Sequence, residues 1–183
     1  MLVTIARTDR GSTVATIHRR DGVVLELPGF DRKFRTPHDL AHEVTERELG
    51  LSRGVFGSIA GGGMLGNMRV LTGHPRHDAA DRSRRLLAAN KHELGIAELM
   101  AGAVHHAVEE AADPAPEAHR AWTILTADPF PWPDDHLHVA VETLTALVAD
   151  YKRDGVVRLD WPDCLTSPVP PTRVHPRGRR GRI

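Results

Sequence analysis

The chain has 183 residues, of which 40% are apolar, so it has the size of one domain with one sizeable core and two large domains are excluded. Its 24 basic and 24 acidic residues balance, which favours neither a nucleic-acid-coating protein nor a strongly acidic one. The single cysteine, Cys164, excludes an internal disulfide, and no stretch approaches the roughly 18 uncharged residues of a membrane span, so we expect a cytoplasmic protein.

The first thirty residues are typical of a three-stranded antiparallel meander. Apolar residues alternate with polar ones over residues 3–5, and residues 14–18 are rich in β-branched side chains. Asp21-Gly22 then predicts a two-residue type I′ turn, since this dipeptide tolerates positive φ angles. The third strand follows over residues 23–27.

The first helix has explicit start and stop signals. Thr36 is a good N-cap, Pro37 suits the first helical position, and Asp39 completes a capping box. Gly50 is the matching stop signal. The sequence therefore predicts a helix from about Pro37 to Leu49.

A glycine-rich apolar segment, residues 54–66, follows this helix and carries no charge. It predicts burial, through close helix packing or a buried turn. A phosphate-binding loop is disfavoured, because such a loop follows a strand and ends in Gly-Lys-Ser/Thr. The same segment is the surface through which a non-catalytic, regulatory module would dock a protein partner.

Apolar residues at helical spacing predict the remaining helices. These cover residues 84–112, with a break at Gly95 or Gly102, then 117–125 and 134–154. Residues 156–160 alternate in polarity and predict a strand that returns to the meander. We therefore expect a single α+β domain over residues 1–166.

The C-terminal residues 167–183 have a composition unlike the rest of the chain. They contain several prolines and five arginines but no acid, so the part before them carries a net charge of −5. Such a segment has little to bury and is predicted to be a disordered tail. Its arginines could contact nucleic acid weakly.

Histidine is the one compositional excess, at 12 residues, and His38 and His42 lie four apart on the first helix. This spacing puts both imidazoles on one face, one turn apart, where they can reach the same metal ion. The sequence His-Asp-Leu-Ala-His resembles a variant of the HExxH helix of zincin metalloproteases. The resemblance covers five residues and implies that His38 and His42 bind zinc while Asp39 acts as the base on a bound water.

Several residues could complete this site. Glu46 lies one turn beyond His42 and is a candidate third ligand or catalytic carboxylate. His106 and Glu109 share a face of the long helix and are candidate metal ligands, as are the histidines at the start of the last helix. Zinc is the first expectation, with iron or manganese if more carboxylates join, and binding should weaken as the pH falls through about 6.5.

Two alternatives stay open beside this leading hypothesis of a metal-dependent, hydrolytic enzyme. His38 and His42 could instead be half-buried histidines with ordinary hydrogen bonds, in a protein that works as a binding module. The doublets His38-Asp39 and His77-Asp78 also resemble the HD phosphohydrolase pattern. That class needs an earlier histidine on a helix, whereas His18 lies on a predicted strand, so this alternative is disfavoured.

Overall fold

In the computed structural model, which describes residues 1–29 and 35–171, the core of the fold is a five-stranded antiparallel sheet. Its strands are β1 (Leu2–Arg7), β2 (Thr13–His18), β3 (Val24–Pro28), β4 (Arg69–Thr72) and β5 (Val156–Asp160). They lie in the order β4-β3-β2-β1-β5. The predicted α+β fold, with an N-terminal meander and a returning C-terminal strand, is confirmed. β4 is an exposed edge strand that was not predicted.

The hairpin between β2 and β3 forms where it was predicted, but the predicted type I′ turn is wrong. That turn needs a positive φ at both central residues, whereas here Gly22 has φ +80° and Asp21 does not have a positive φ. The Gly22 N–H donates to the Arg19 carbonyl (3.2 Å) and the Arg19 N–H donates to the Val23 carbonyl (3.0 Å). These bonds define a three-residue loop, in which a type I turn is followed by a left-handed bulge residue.

The helices among the described residues are α1 (His38–Glu48), α2 (Val55–Ala60), α3 (Ala79–Ala89), α4 (Lys91–Glu110), α5 (Ala115–Leu125) and α6 (Asp134–Asp154). The predicted capping box of α1 is not formed, because the N-cap position is Pro37 and no side chain caps it. The Thr36 N–H instead donates to Glu109 Oε1 on α4 (2.7 Å). Gly50, with φ +69°, follows the end of the helix, as predicted.

The long helical region breaks at Asn90, and not at Gly95 or Gly102, which both lie within α4. Asn90 is buried and its side-chain amide donates to Ser58 Oγ (3.0 Å) and Ser167 Oγ (2.8 Å). A buried amide needs such partners. Asn90 therefore fixes the corner between α3 and α4 against α2 and the C-terminal segment.

The glycine-rich segment is closely packed, as predicted, but it packs against the C-terminal segment, which was predicted to be disordered from residue 167. A Cβ atom on Gly57 would lie 2.1 Å from the Ser52 carbonyl oxygen, and one on Gly61 would lie 2.3 Å from the Ser167 carbonyl oxygen. Ser167 is buried and its N–H donates to the Gly57 carbonyl (3.0 Å). The packed domain thus extends beyond its predicted end at residue 166. The predicted disorder of residues 172–183 lies outside the described residues.

α1 lies at the centre of the helical layer and packs against α2, α4 and α6. Its buried Leu40 and Val44 join a single core with sheet residues such as Ile5, Ile17 and Leu25. α1 is therefore held on several sides, which fixes the direction of its polar side chains. None of the helices in the described part of the chain combines the length and apolar character required to cross a membrane.

Candidate metal centre

Helices α1 and α4 bring three potential metal ligands together. His38 and His42 lie one turn apart on α1, with their ring centroids 4.8 Å from each other. Glu98, on α4, places one carboxylate oxygen 3.7 Å from His38 Nε2 and the other 3.1 Å from His42 Nε2. Among the described residues, these three form a group whose ligand atoms all lie within 4.8 Å of one another.

A second carboxylate lies behind His42 and orients its ring. His42 is buried, and its Nδ1 lies 3.1 Å from Oε1 of Glu46, which is also fully buried. An ionised carboxylate can only accept, so Nδ1 carries the proton of this bond and Nε2 points towards Glu98. Metal-binding histidines commonly donate their other N–H to a carboxylate in this way.

Glu46 is itself fixed by the start of α2. Its carboxylate accepts the backbone N–H groups of Val55 and Phe56, both at 2.9 Å. Gly54 leaves the space that this side chain fills, since a Cβ atom there would lie 2.4 Å from Glu46 Cδ and Oε2. The direction of the His42 ring therefore depends on a contact between α1 and the loop before α2.

The charges around His42 change its protonation. Burial lowers the pKa of His42, but the hydrogen bonds and charges of Glu46 and Glu98 outweigh burial and raise the pKa to about 9. The hydrogen bond to His42 likewise lowers the pKa of Glu98. At neutral pH the His42 ring is thus an imidazolium between two carboxylates. A divalent cation that binds Nε2 must displace one proton.

The cluster opens to solvent on one side. His42 is buried, but the side chains of His38 and Glu98 are 34% and 63% exposed. Zinc bonds of about 2.0–2.1 Å put tetrahedral ligand atoms about 3.3 Å apart, so the two exposed side chains must close in by up to about 1.5 Å. Three protein ligands then leave a fourth position for water, as in catalytic zinc sites.

His106 and Glu109, the other predicted ligands, lie outside this cluster. His106 is exposed, with Nε2 3.6 Å from a Glu117 oxygen. Glu109 accepts the Thr36 N–H and so supports the start of α1. At the start of α6, His138 pairs with an aspartate of the α4–α5 loop at 3.1 Å. The structure thus brings His38 and His42 together with a different residue of α4.

The two predicted catalytic carboxylates have different surroundings. Glu46 is fully buried behind His42, so it is suited to orienting that ring and not to contacting a substrate. Asp39 lies in the first turn of α1, directly after His38, and is half-buried. Neither carboxylate belongs to the group of ligand atoms formed by His38, His42 and Glu98, so the role of Asp39 as a base rests on the zincin resemblance alone.

The sequence analysis missed Glu98 as a site residue. Glu98 and His105 are seven residues apart on α4, which is about two turns, so both lie on the face towards α1. His105 is buried, its Nε2–H donates to the Thr36 carbonyl (3.0 Å), and its ring centroid is 5.8 Å from that of His38. Glu98 is the one charged residue between Leu94 and Val104, and a carboxylate within this apolar stretch of α4 was the signal that could have found it.

Comparison with known proteins does not assign the chain to a family. No protein-family model matches the chain, and neither the curated proteins nor the solved structures yield a match. The resemblance to the zincin helix therefore remains confined to the five residues from His38 to His42. The function has to be inferred from the geometry of the cluster.

Proposed function

We propose that His38, His42 and Glu98 bind one divalent cation, with zinc as the first expectation, and that the protein is a metal-dependent hydrolase. The observation that supports this is the meeting of the three side chains, from two helices, around one point. The buried Glu46 behind His42 adds support, because it orients Nε2 as a metal ligand requires.

The chemistry follows from the donor set. Two histidines and one carboxylate would hold zinc with one open position, and the metal would supply a water with a pKa of about 7 as the nucleophile. Asp39, by the resemblance to the zincin helix, is the proposed base for that water. The same donor set also suits iron(II), so the identity of the metal is part of the test.

Metal binding is tested with the purified 183-residue chain. We expect one zinc per chain by elemental analysis, and displacement of a chromophoric zinc chelator at pH 8. Replacing His38 and His42 together with alanine, or Glu98 with glutamine, should abolish stoichiometric zinc. His106→Ala is the matched control, because it removes an exposed histidine of α4 that lies outside the cluster. If this control loses zinc as the double variant does, the proposed ligands are wrong.

Hydrolysis is a separate arm of the test. We expect the zinc-loaded protein to hydrolyse an activated ester such as 4-nitrophenyl acetate, and Asp39→Asn to slow this reaction without releasing zinc. General-base catalysis typically contributes about 10²–10⁴-fold. Zinc binding without any zinc-dependent hydrolysis would support the metal site but refute the proposed hydrolase activity. Equal rates of hydrolysis for wild type and Asp39→Asn would show that Asp39 is not the base.

The alternative, a module that binds a protein partner through residues 54–66, has less support. Phe56, Ser58 and Ile59 are buried within this chain and offer no surface to a partner. A chain that fails to bind any of zinc, iron and manganese would favour this alternative.

We also propose a cytoplasmic location, on the basis of the single free Cys164.

A further inference from the structure

A cleft at the C-terminal end of α2, away from Glu46 at its other end, is lined by four arginines. Arg19 and Arg20 come from the turn between β2 and β3, Arg76 from the loop before α3, and Arg82 from α3 itself. Asp21 is the one acidic side chain among the described residues that line the cleft. The cleft has a volume of about 290 Å³. Three separate parts of the chain thus direct basic residues to one place.

The existing partners of these arginines leave charge available. Arg19 is buried and held by Asp21 through its Nε (3.1 Å) and Nη2. Arg20 and Arg76 each form an exposed ion pair with an aspartate. Exposed pairs of this kind contribute little, so an incoming anion can replace the aspartate. Arg82 forms no ion pair with any residue in the described ranges 1–29 and 35–171.

The start of α3 adds a second positive element. Ala79, its first residue, lines the cleft, and no side chain caps this end of the 11-residue helix. The positive end of the helix dipole therefore lies at the edge of the cleft, where Asp78 at the N-cap and Asp81 in the first turn offset part of it. Three of the four arginines are paired with Asp21, Asp163 and Asp78, so the net positive charge of the cleft comes from Arg82 and from the exchange of these aspartates for an incoming anion.

We propose that this cleft binds a small anion that carries a phosphate or diphosphate group. The planar guanidinium of arginine matches pairs of phosphate oxygens, and several such groups together select phosphate over a single carboxylate. The volume of about 290 Å³ is just below the range of about 300–1,000 Å³ for ligand pockets, which favours a small molecule over a nucleic-acid strand. The cleft is independent of the metal centre.

Calorimetric titration of the 183-residue chain with pyrophosphate, at low ionic strength and with EDTA present, tests this proposal. Arg82→Gln is the test variant. Arg84→Gln is its matched control, because it removes the same charge from α3 at a side chain that is 75% exposed and outside the cleft. We expect Arg82→Gln to weaken binding at least about tenfold and Arg84→Gln less than about twofold. Both variants keep the arginines of residues 167–183, so any binding there contributes equally.

Arg76→Gln is a second variant, on a different segment, and should weaken pyrophosphate binding as Arg82→Gln does. Equal weakening by Arg82→Gln and Arg84→Gln would show diffuse charge attraction and overturn the proposal, as would the absence of wild-type binding. An oligothymidylate serves as the remaining probe. If it binds in a manner that depends on Arg82 and pyrophosphate does not displace it, the cleft serves nucleic acid and the small-anion proposal is wrong.

Discussion

Replacing Gly54 with alanine tests whether Glu46 holds His42 and α2 in place. The new methyl group would lie 2.4 Å from Glu46 Cδ and Oε2, far inside van der Waals contact. Glu46 cannot move aside without cost, because it is fully buried and accepts hydrogen bonds from the His42 ring and from two N–H groups of α2. The substitution therefore has to displace either the carboxylate or the start of α2.

The expected loss can be worked out from these contacts. Overpacking a tight site costs about 1–3 kcal/mol, and a weakened hydrogen bond to a charged group costs about 1.5–3 kcal/mol, with partial overlap between the two. We expect Gly54→Ala to lower the free energy of unfolding by about 2–4 kcal/mol. Gly102→Ala is the control, because a Cβ atom there meets no heavy atom within 4 Å. It should raise stability by about 0.5–1 kcal/mol through better helix propensity.

Two measurements separate the structural and the functional role of Glu46. Urea denaturation gives the change in stability, and competition with a zinc chelator gives the change in zinc affinity. We expect Gly54→Ala to weaken zinc binding about 10–100-fold, as is usual when a partner that orients a ligand is disturbed. A stable Gly54→Ala variant would refute the packing argument. A destabilised variant with unchanged zinc affinity would refute the orienting role.

Three further predictions follow from the structure. Because the pKa of His42 is raised to about 9, its ionic contacts stabilise the metal-free fold fully below about pH 6.5 and are lost as the pH rises through 9. Urea denaturation in EDTA should show a loss of up to about 3 kcal/mol over this range, and zinc affinity should rise over the same range instead of near pH 6.5. Burial raises the pKa of Glu43 to about 7, in spite of nearby Arg47, so the stability of the fold should fall as the pH rises from about 4.5 to 7. In a series of melting temperatures over this pH range, Glu43→Gln should show a smaller fall. Deleting residues 167–183 should lower the melting temperature more than deleting 172–183, because Ser167 is buried and bonded to Gly57 and Asn90.

Most elements of the fold were predictable because their signals are local. The end of α6 at Gly155 and the alternation of β5 depend on adjacent residues, and both are found as expected. The turn after β2 differs because the side chain of Asp21 bonds to Arg19 and to the Val23 N–H, and the loop so formed is one residue longer. β4 was missed because it is short and exposed, without the buried alternation that identifies a strand.

The candidate site was predictable only where helix geometry alone decides it. His38 and His42 share a face at a spacing of four residues whatever the rest of the chain does. Glu98 is 56 residues from His42, and its place depends on how α4 packs against α1. His106 was chosen because it shares a helix face with Glu109, but sequence spacing does not tell which face of α4 meets α1. The face of α4 that meets α1 is decided by the packing of the whole core, to which many residues contribute.

The position of Glu46 supports a role beyond capping α2. A serine or threonine at position 54 would satisfy N–H groups in the first turn of α2 without burying a charge. Instead the chain has glycine there and places the fully buried carboxylate of Glu46 in the space. Burying a carboxylate is expensive unless its hydrogen bonds are complete, and the bond to His42 is the one that capping alone would not require. The bond from Nδ1 to Glu46 would keep the His42 ring in the same orientation when a cation displaces the proton on Nε2, and this is the role that we assign to Glu46.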